Sequence, residues 1–187
     1  MTIPRNTHGP VVRGQIKTGV VENGMPKALG HFTAEDPEFH AVKGDTPTRL
    51  YITFGSAASG EVFPTAMESW ANDHIFCRCT DGETAKYKDD GQPAASPCVP
   101  FECGRFAASK CTPVGRLYFS IHGMDGLWLL TTRSFYSIIS MEDILGENTP
   151  NAWGWALDVS QAVKGGNKVH QLSLTPVKAL DPKENEE

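Results

Sequence analysis

Five cysteines fall within one 35-residue stretch, at Cys77, Cys79, Cys98, Cys103 and Cys111, and the chain has no others. Thiols so placed narrow what that stretch can become. Disulfides are rare in reducing compartments, whereas soft thiolates at short spacing suit a tetrahedral Zn2+, which takes four ligands. The spacing is C-x-C-x18-C-x4-C-x7-C, and the residues between are those of turns, among them Asp81, Gly82, Asp89, Asp90, Gly91, Pro93, Pro97, Pro100 and Gly104. A segment this poor in apolar residues predicts a loop insertion at 77–111 ordered by a metal crosslink. The expected ligands are Cys79, Cys98, Cys103 and Cys111. Cys77 closes the apolar run Ile75-Phe76-Cys77 and, two residues before Cys79, points the same way in an extended chain, so it competes for the first ligand position. The other readings are a buried thiol at Cys77 and disulfides in an exported protein. The start Met1-Thr2-Ile3-Pro4-Arg5 carries no apolar export segment, which favours zinc and a cytoplasmic chain.

At 187 residues, 40% hydrophobic and 21% charged, the chain has enough apolar material for one globular domain over 31–177, and no apolar run long enough to span a membrane. Net charge is −5, and Asp73 to Arg116 balances six basic against six acidic residues, so the basic footprint of an avid duplex binder is missing. Residues 1–30 differ, with Arg5, Arg13, Lys17 and Lys27 against Glu22 alone, and read as a basic, solvated N-terminal segment. The tail over 178–187 is acidic and expected to be disordered.

Periodicity predicts an α+β fold, rich in strands, with one or two short helices. Leu50, Ile52 and Phe54 alternate with Arg49, Tyr51 and Thr53, the period-two pattern of a half-buried strand. Leu117, Phe119 and Ile121 repeat that pattern, and Gly123-Met124-Asp125-Gly126 supplies a turn into Leu127-Trp128-Leu129-Leu130, which predicts a hairpin with Cys111 just ahead of its first strand. Ser134 followed by Phe135, Ile138, Ile139, Ile144 and Leu145 predicts a capped helix ending at Gly146. Two more strands are expected at 153–159 and 168–175, and a short helix from Pro64 through Trp70.

Catalytic patterns are thin. Pro97-Cys98 resembles half of a zinc-deaminase signature, but the next cysteine comes five residues later and no H-x-E precedes it. Metalloprotease, serine-elbow and phosphate-loop motifs are absent. His74, Asp81 and Glu83 are the local candidates for a metal-dependent hydrolase, which would need an open coordination position, and Asp81-Gly82 is more simply a turn orienting Cys79. A single-stranded DNA-binding or replication accessory protein would interleave exposed aromatics with cations, and Tyr51, Tyr118 and Tyr136 lack surrounding basic residues in the sequence.

The order of features resembles the recombination directionality factor proteins of phages and integrative elements, partners of large serine integrases. The resemblance runs over most of the chain: Gly14-Gln15-Ile16-Lys17, Pro26-Lys27-Ala28-Leu29 leading to Phe32, Gly44-Asp45-x-Pro47-x-x-Leu50-x-Ile52-x-Phe54, Cys79-x-Asp81-Gly82-Glu83, Cys98 with Cys103, Cys111-x-Pro113-x-Gly115-Arg116-Leu117, and Gly126-Leu127-Trp128-x-Leu130-x-Thr132-x-Ser134. It implies a non-enzymatic protein, working inside a bacterial host cell, that binds a serine integrase or other recombination protein on its DNA and shifts it toward excision, with only weak DNA contact of its own. It also implies Cys79, directly ahead of the D-G pair, as the first ligand.

Overall fold

The computed structural model describes residues 11–23, 25–54, 62–71, 74–81, 83–89, 92–98, 111–147, 154–164 and 166–177. Cys103, Asp73, residues 1–10 and the acidic tail lie outside them. The elements run β1 (Gly14–Glu22), β2 (Met25–Thr33), α1 (Pro37–Lys43), β3 (Arg49–Thr53), β4 (Thr65–Ala71), β5 (His74–Cys79), β6 (Thr84–Asp89), β7 (Gln92–Pro97), β8 (Cys111–Ile121), β9 (Trp128–Thr132), α2 (Phe135–Glu147), β10 (Gly154–Lys164) and β11 (Asn167–Val177). Among the described residues the fold is β-rich with two short helices, as the periodicity predicts.

The eleven described strands belong to one sheet organised around β8. Its first half pairs antiparallel with β4, its middle with β9, and its last two residues with β3. The amides of Arg116, Tyr118 and His122 donate to Pro64, Val62 and Tyr51. Alternate residues of a strand bond to the same side, so β4 and β3 follow one another along one edge of β8 while β9 takes the other. From β9 the sheet continues through a parallel pairing to β1 and then to β2, and from β3 through β10 to β11. The sheet then curls back on itself. Phe32 of β2 donates to the Pro47 carbonyl at 2.8 Å, and Val159 of β10 donates to the adjacent Thr48 carbonyl at 3.0 Å.

The concave side holds the main core, built on Trp128, Trp155, Phe32, Phe39, Phe119 and Leu117, all with essentially no exposed surface. Burying each such side chain contributes about 1.5–3 kcal/mol. Helix α2 closes this core with Ile138, Met141 and Leu145. Its one buried polar group is used: the Ser137 hydroxyl accepts the Leu172 amide of β11 at 3.1 Å. Ser134 caps the helix, its hydroxyl accepting the Ser137 amide at 3.4 Å.

From β4 outward the strands β5, β6 and β7 form an arm, each antiparallel to the last. Here the structure corrects the sequence reading. Residues 65–71 are a strand, not a helix after Pro64: between β8 and β5 the segment exchanges hydrogen bonds on both edges, and Pro64, with no amide to donate, sits just before the strand. Most of the described part of the expected loop is also strand. Ala85 and Tyr87 alternate with Thr84, Lys86 and Lys88, and the pair Asp89↔Gln92 brackets Asp90-Gly91, a two-residue hairpin sequence. Of the segment 1–30, set apart by charge as a solvated extension, residues 14–30 belong to the hairpin β1–β2, whose pair Glu22↔Met25 brackets Asn23-Gly24 with Asn23 at φ 52°. Helix α1 was not expected. Asp36 caps it by accepting the Glu38 amide, Pro37 occupies its first turn, and Gly44 ends it at φ 82°.

Candidate functional site

The four described cysteines, Cys77, Cys79, Cys98 and Cys111, lie on one face of the arm. Register sets Cys111 opposite Ser69, Ser69 opposite Cys77, and Cys77 opposite Tyr87, and directly opposed residues share a face. The next row sets Met67 opposite Cys79 and Cys79 opposite Ala85. As expected of an extended chain, Cys77 and Cys79 point the same way, and both are buried. Cys98 follows β7, donating its amide to the Glu83 carbonyl at 2.6 Å. Cys77, Cys79, Cys98 and Ala85 pack as a small second core flanked by Met67 and Tyr87. Cys111 is equally buried but enters that face from β8, two strands away from Cys77.

Asp81 orients this cluster. Its Oδ1 accepts the amides of Thr84 at 2.7 Å and Glu83 at 2.9 Å, closing the turn between β5 and β6, and lies 3.6 Å from the Cys79 sulfur. The Thr84 and Glu83 amides hold the carboxyl below its ordinary pKa, so it is ionised at neutral pH. Among the described residues no three His, Cys, Asp or Glu side chains converge as a metal site. The hydrolase candidates are not drawn together: Glu83 is exposed at the turn while His74 opens β5 at the strand's far end.

A broad groove lies elsewhere. It has a volume of about 1390 Å3 and runs between the β1–β2 hairpin and the start of α2. Lys17, Val20, Lys27 and Leu29 form one wall, Arg133, Phe135 and Tyr136 the other, and Gln161 and His170 reach it from β10 and β11. Gln161 fastens the hairpin by donating to the Ala28 carbonyl at 3.0 Å. Gly30, at φ 74°, permits that approach: a Cβ there would stand 2.8 Å from the Gln161 Cγ. Val21, Tyr136, Phe135, Val20 and Ile139 are 75, 62, 46, 40 and 40% exposed, an apolar group in the open on and beside the groove. The groove carries no carboxylate among its lining residues, although Glu35 pairs with Lys17 at 2.5 Å and Glu22 with Lys27 at 2.6 Å at its rim. His170 is half-buried there, and burial pulls its pKa below the ordinary histidine value. Tyr136 thus shares a groove with Arg133, Lys17 and Lys27.

A site of this size, apolar and open, exceeds what a small metabolite fills and matches a protein segment. The sequence model described as Gp3-like, recombination directionality factor-like, matches residues 13–146. The chain belongs to that family. The match begins one residue before β1 and ends within the last turn of α2, so the β1–β2 wall, the α2 wall and the whole cysteine arm of this directionality-factor-like protein fall inside it. Neither the curated proteins nor the solved structures contain a match to it. Membership points to a role in phage recombination alongside a recombination protein. No described helix is long and apolar enough to cross a membrane.

Proposed function

We propose that this protein is a non-enzymatic directionality factor that binds a large serine integrase already seated on its DNA, inside the host cell, and favours the excisive synapse. The family match over residues 13–146 carries this reading. The groove between the β1–β2 hairpin and α2 is the proposed docking surface, with Tyr136 and Phe135 as anchors, since aromatic side chains dominate interface energetics. The factor need do no chemistry. Preferring one synaptic arrangement by about 5.5 kcal/mol turns a 1:99 population into 99:1.

The test is a reconstituted reaction with the serine integrase encoded by the same genetic element. Added protein should switch on recombination between the two hybrid sites and suppress the forward reaction, and Phe135→Ala with Tyr136→Ala should lose that effect at least about tenfold while melting like the parent. If the parent protein leaves both directions untouched, the reading is wrong.

The second part of the proposal is one structural zinc held by Cys79, Cys98, Cys103 and Cys111. Its support is the donor set itself: four of the five thiols lie buried on one face of the arm. Because Cys77, not Cys111, shares a packed cluster with Cys79 and Cys98, Cys77 also competes for the place of Cys111. Elemental analysis of native protein should give about one zinc per chain. Comparing Cys77→Ser with Cys111→Ser then tells which thiol binds, and metal-free folded protein would refute the zinc.

A further inference from the structure

Opposite the cysteines, the arm's other face carries an excess of positive charge organised around one buried acid. Glu68 of β4 has no exposed surface. Its carboxylate meets the Arg116 guanidinium twice, Nη2 donating to Oε2 at 2.8 Å and Nη1 standing 2.7 Å from Oε1. Nε of Arg78 stands 3.3 Å from the same Oε1, and Trp70 donates its indole N–H to Oε2 at 3.1 Å. Arg133 stacks 5.3 Å from the Trp70 ring centroid. Register extends the row to Lys86, exposed directly opposite Arg78. Two cations, Arg116 and Arg78, thus share one carboxylate, and two more, Lys86 and Arg133, stand beside Arg78 and Trp70, on a chain whose net charge is −5.

That imbalance is costly where it is buried. Nη1 of Arg116 and Nε of Arg78 both crowd onto Oε1 of Glu68, and none of these three atoms makes a well-aligned hydrogen bond, so one carboxylate is shared between two guanidiniums. Charge lying uncompensated in a fold is offset when an anion from outside completes the arrangement. Arg78 is 34% exposed at its side chain and the Trp70 ring 36%, so the row opens to solvent at the Arg78–Lys86 end and at Trp70. Arginine geometry suits phosphate oxygens.

We infer that Arg78, Lys86 and Arg133, held in place by Glu68, Arg116 and Trp70, form a contact site for the phosphate backbone of DNA. Charge complementarity is the argument. Nothing in it reads base edges, so the contact is independent of sequence. On a chain of net charge −5, so few contacts bind bare DNA weakly and act when a DNA-bound partner raises the local concentration. The inference does not depend on which protein that partner is.

The experiment is fluorescence anisotropy of a labelled 25-base-pair duplex of arbitrary sequence, titrated with the full chain at several salt concentrations between about 50 and 200 mM. The parent should bind with a dissociation constant of about 10−6–10−4 M at the lowest salt, and Arg78→Gln, Lys86→Gln and Arg133→Gln should each reduce the log–log salt slope by about 0.9. Arg49→Gln, which removes a cation paired with Asp158 on β3, should leave the slope unchanged. If Arg78→Gln lowers the melting temperature, the Lys86→Gln, Arg133→Gln double variant carries the test. Absence of parent binding at the lowest salt, or an unchanged slope in that double variant, would overturn the inference. Poly-glutamate bound as tightly as the duplex, with the same loss in the variants, would overturn it too, and reassign the face to an acidic protein partner.

Discussion

At the scale of single residues, buried polar groups set the sharpest constraints. Glu68 is an acid inside a strand, tolerable only because Arg116 and Arg78 meet it, and removing one member of a buried pair leaves the other charged and unpaired. Glu68→Ala should therefore cost about 3–5 kcal/mol, a fall in melting temperature of roughly 6–20 °C, measurable by calorimetry. A drop within about 2 °C would mean that water reaches the arginines. His170 gives a pH-dependent counterpart. Burial lowers its pKa in the folded state, so the unfolded chain binds the proton more readily. This contribution leaves stability intact above the ordinary histidine pKa of about 6.5 and erodes it as pH falls through the window between the unfolded and folded values. Thermal melts of the parent should fall more steeply below pH 6.5 than those of His170→Gln. Parallel profiles would show that the ring is solvated in solution.

Among the elements, legibility followed periodicity and failed where partners are distant. The strand at Arg49–Thr53, the hairpin through Leu117 and Trp128, and the helix after Ser134 are all in place, because their apolar alternation reports burial directly. The Asn23-Gly24 and Asp90-Gly91 dipeptides are equally readable hairpin signals in the sequence, yet the strands that flank them carry few large apolar residues, so periodicity alone points to extension and loop. The row Thr112–Glu68–Arg78–Lys86 had no sequence signal, since register across strands brings it together, and Arg133 reaches Trp70 from 63 positions away. The same holds for the groove, whose walls come from opposite halves of the chain. Close packing adds a test at Gly115 of β8. A Cβ there would fall against the Phe63 ring and 3.2 Å from Ile138 of α2, so Gly115→Ala must displace the strand, the ring or the helix. Overpacking of this kind costs about 1–3 kcal/mol, read as a shift of the denaturation midpoint at constant slope, and an unshifted midpoint would mean that Phe63 has room to turn away.

For the molecule as a whole, the unequal size of its two cores decides where it opens. Among the described residues the curled part of the sheet and α2 share a cluster of 22 buried side chains, while the arm has four, three of them cysteines. Among the described strands β7 pairs with β6 alone, and it contains Pro93 and Pro97, which discourage recruitment of another strand but add nothing to hold it down. Local opening free energies follow buried contacts. The amides of β5, β6 and β7 should therefore exchange about a hundredfold or more faster than those of β8, β9 and β10 when metal is withheld. If zinc occupies the cysteine face, it adds to the arm the crosslink that its packing lacks, and saturating zinc should slow exchange in β5–β7 while leaving β9 and β10 unchanged. Uniform exchange across both regions, with or without metal, would show that the arm is held as firmly as the body by its hydrogen bonds alone, and would remove the physical need for a metal there.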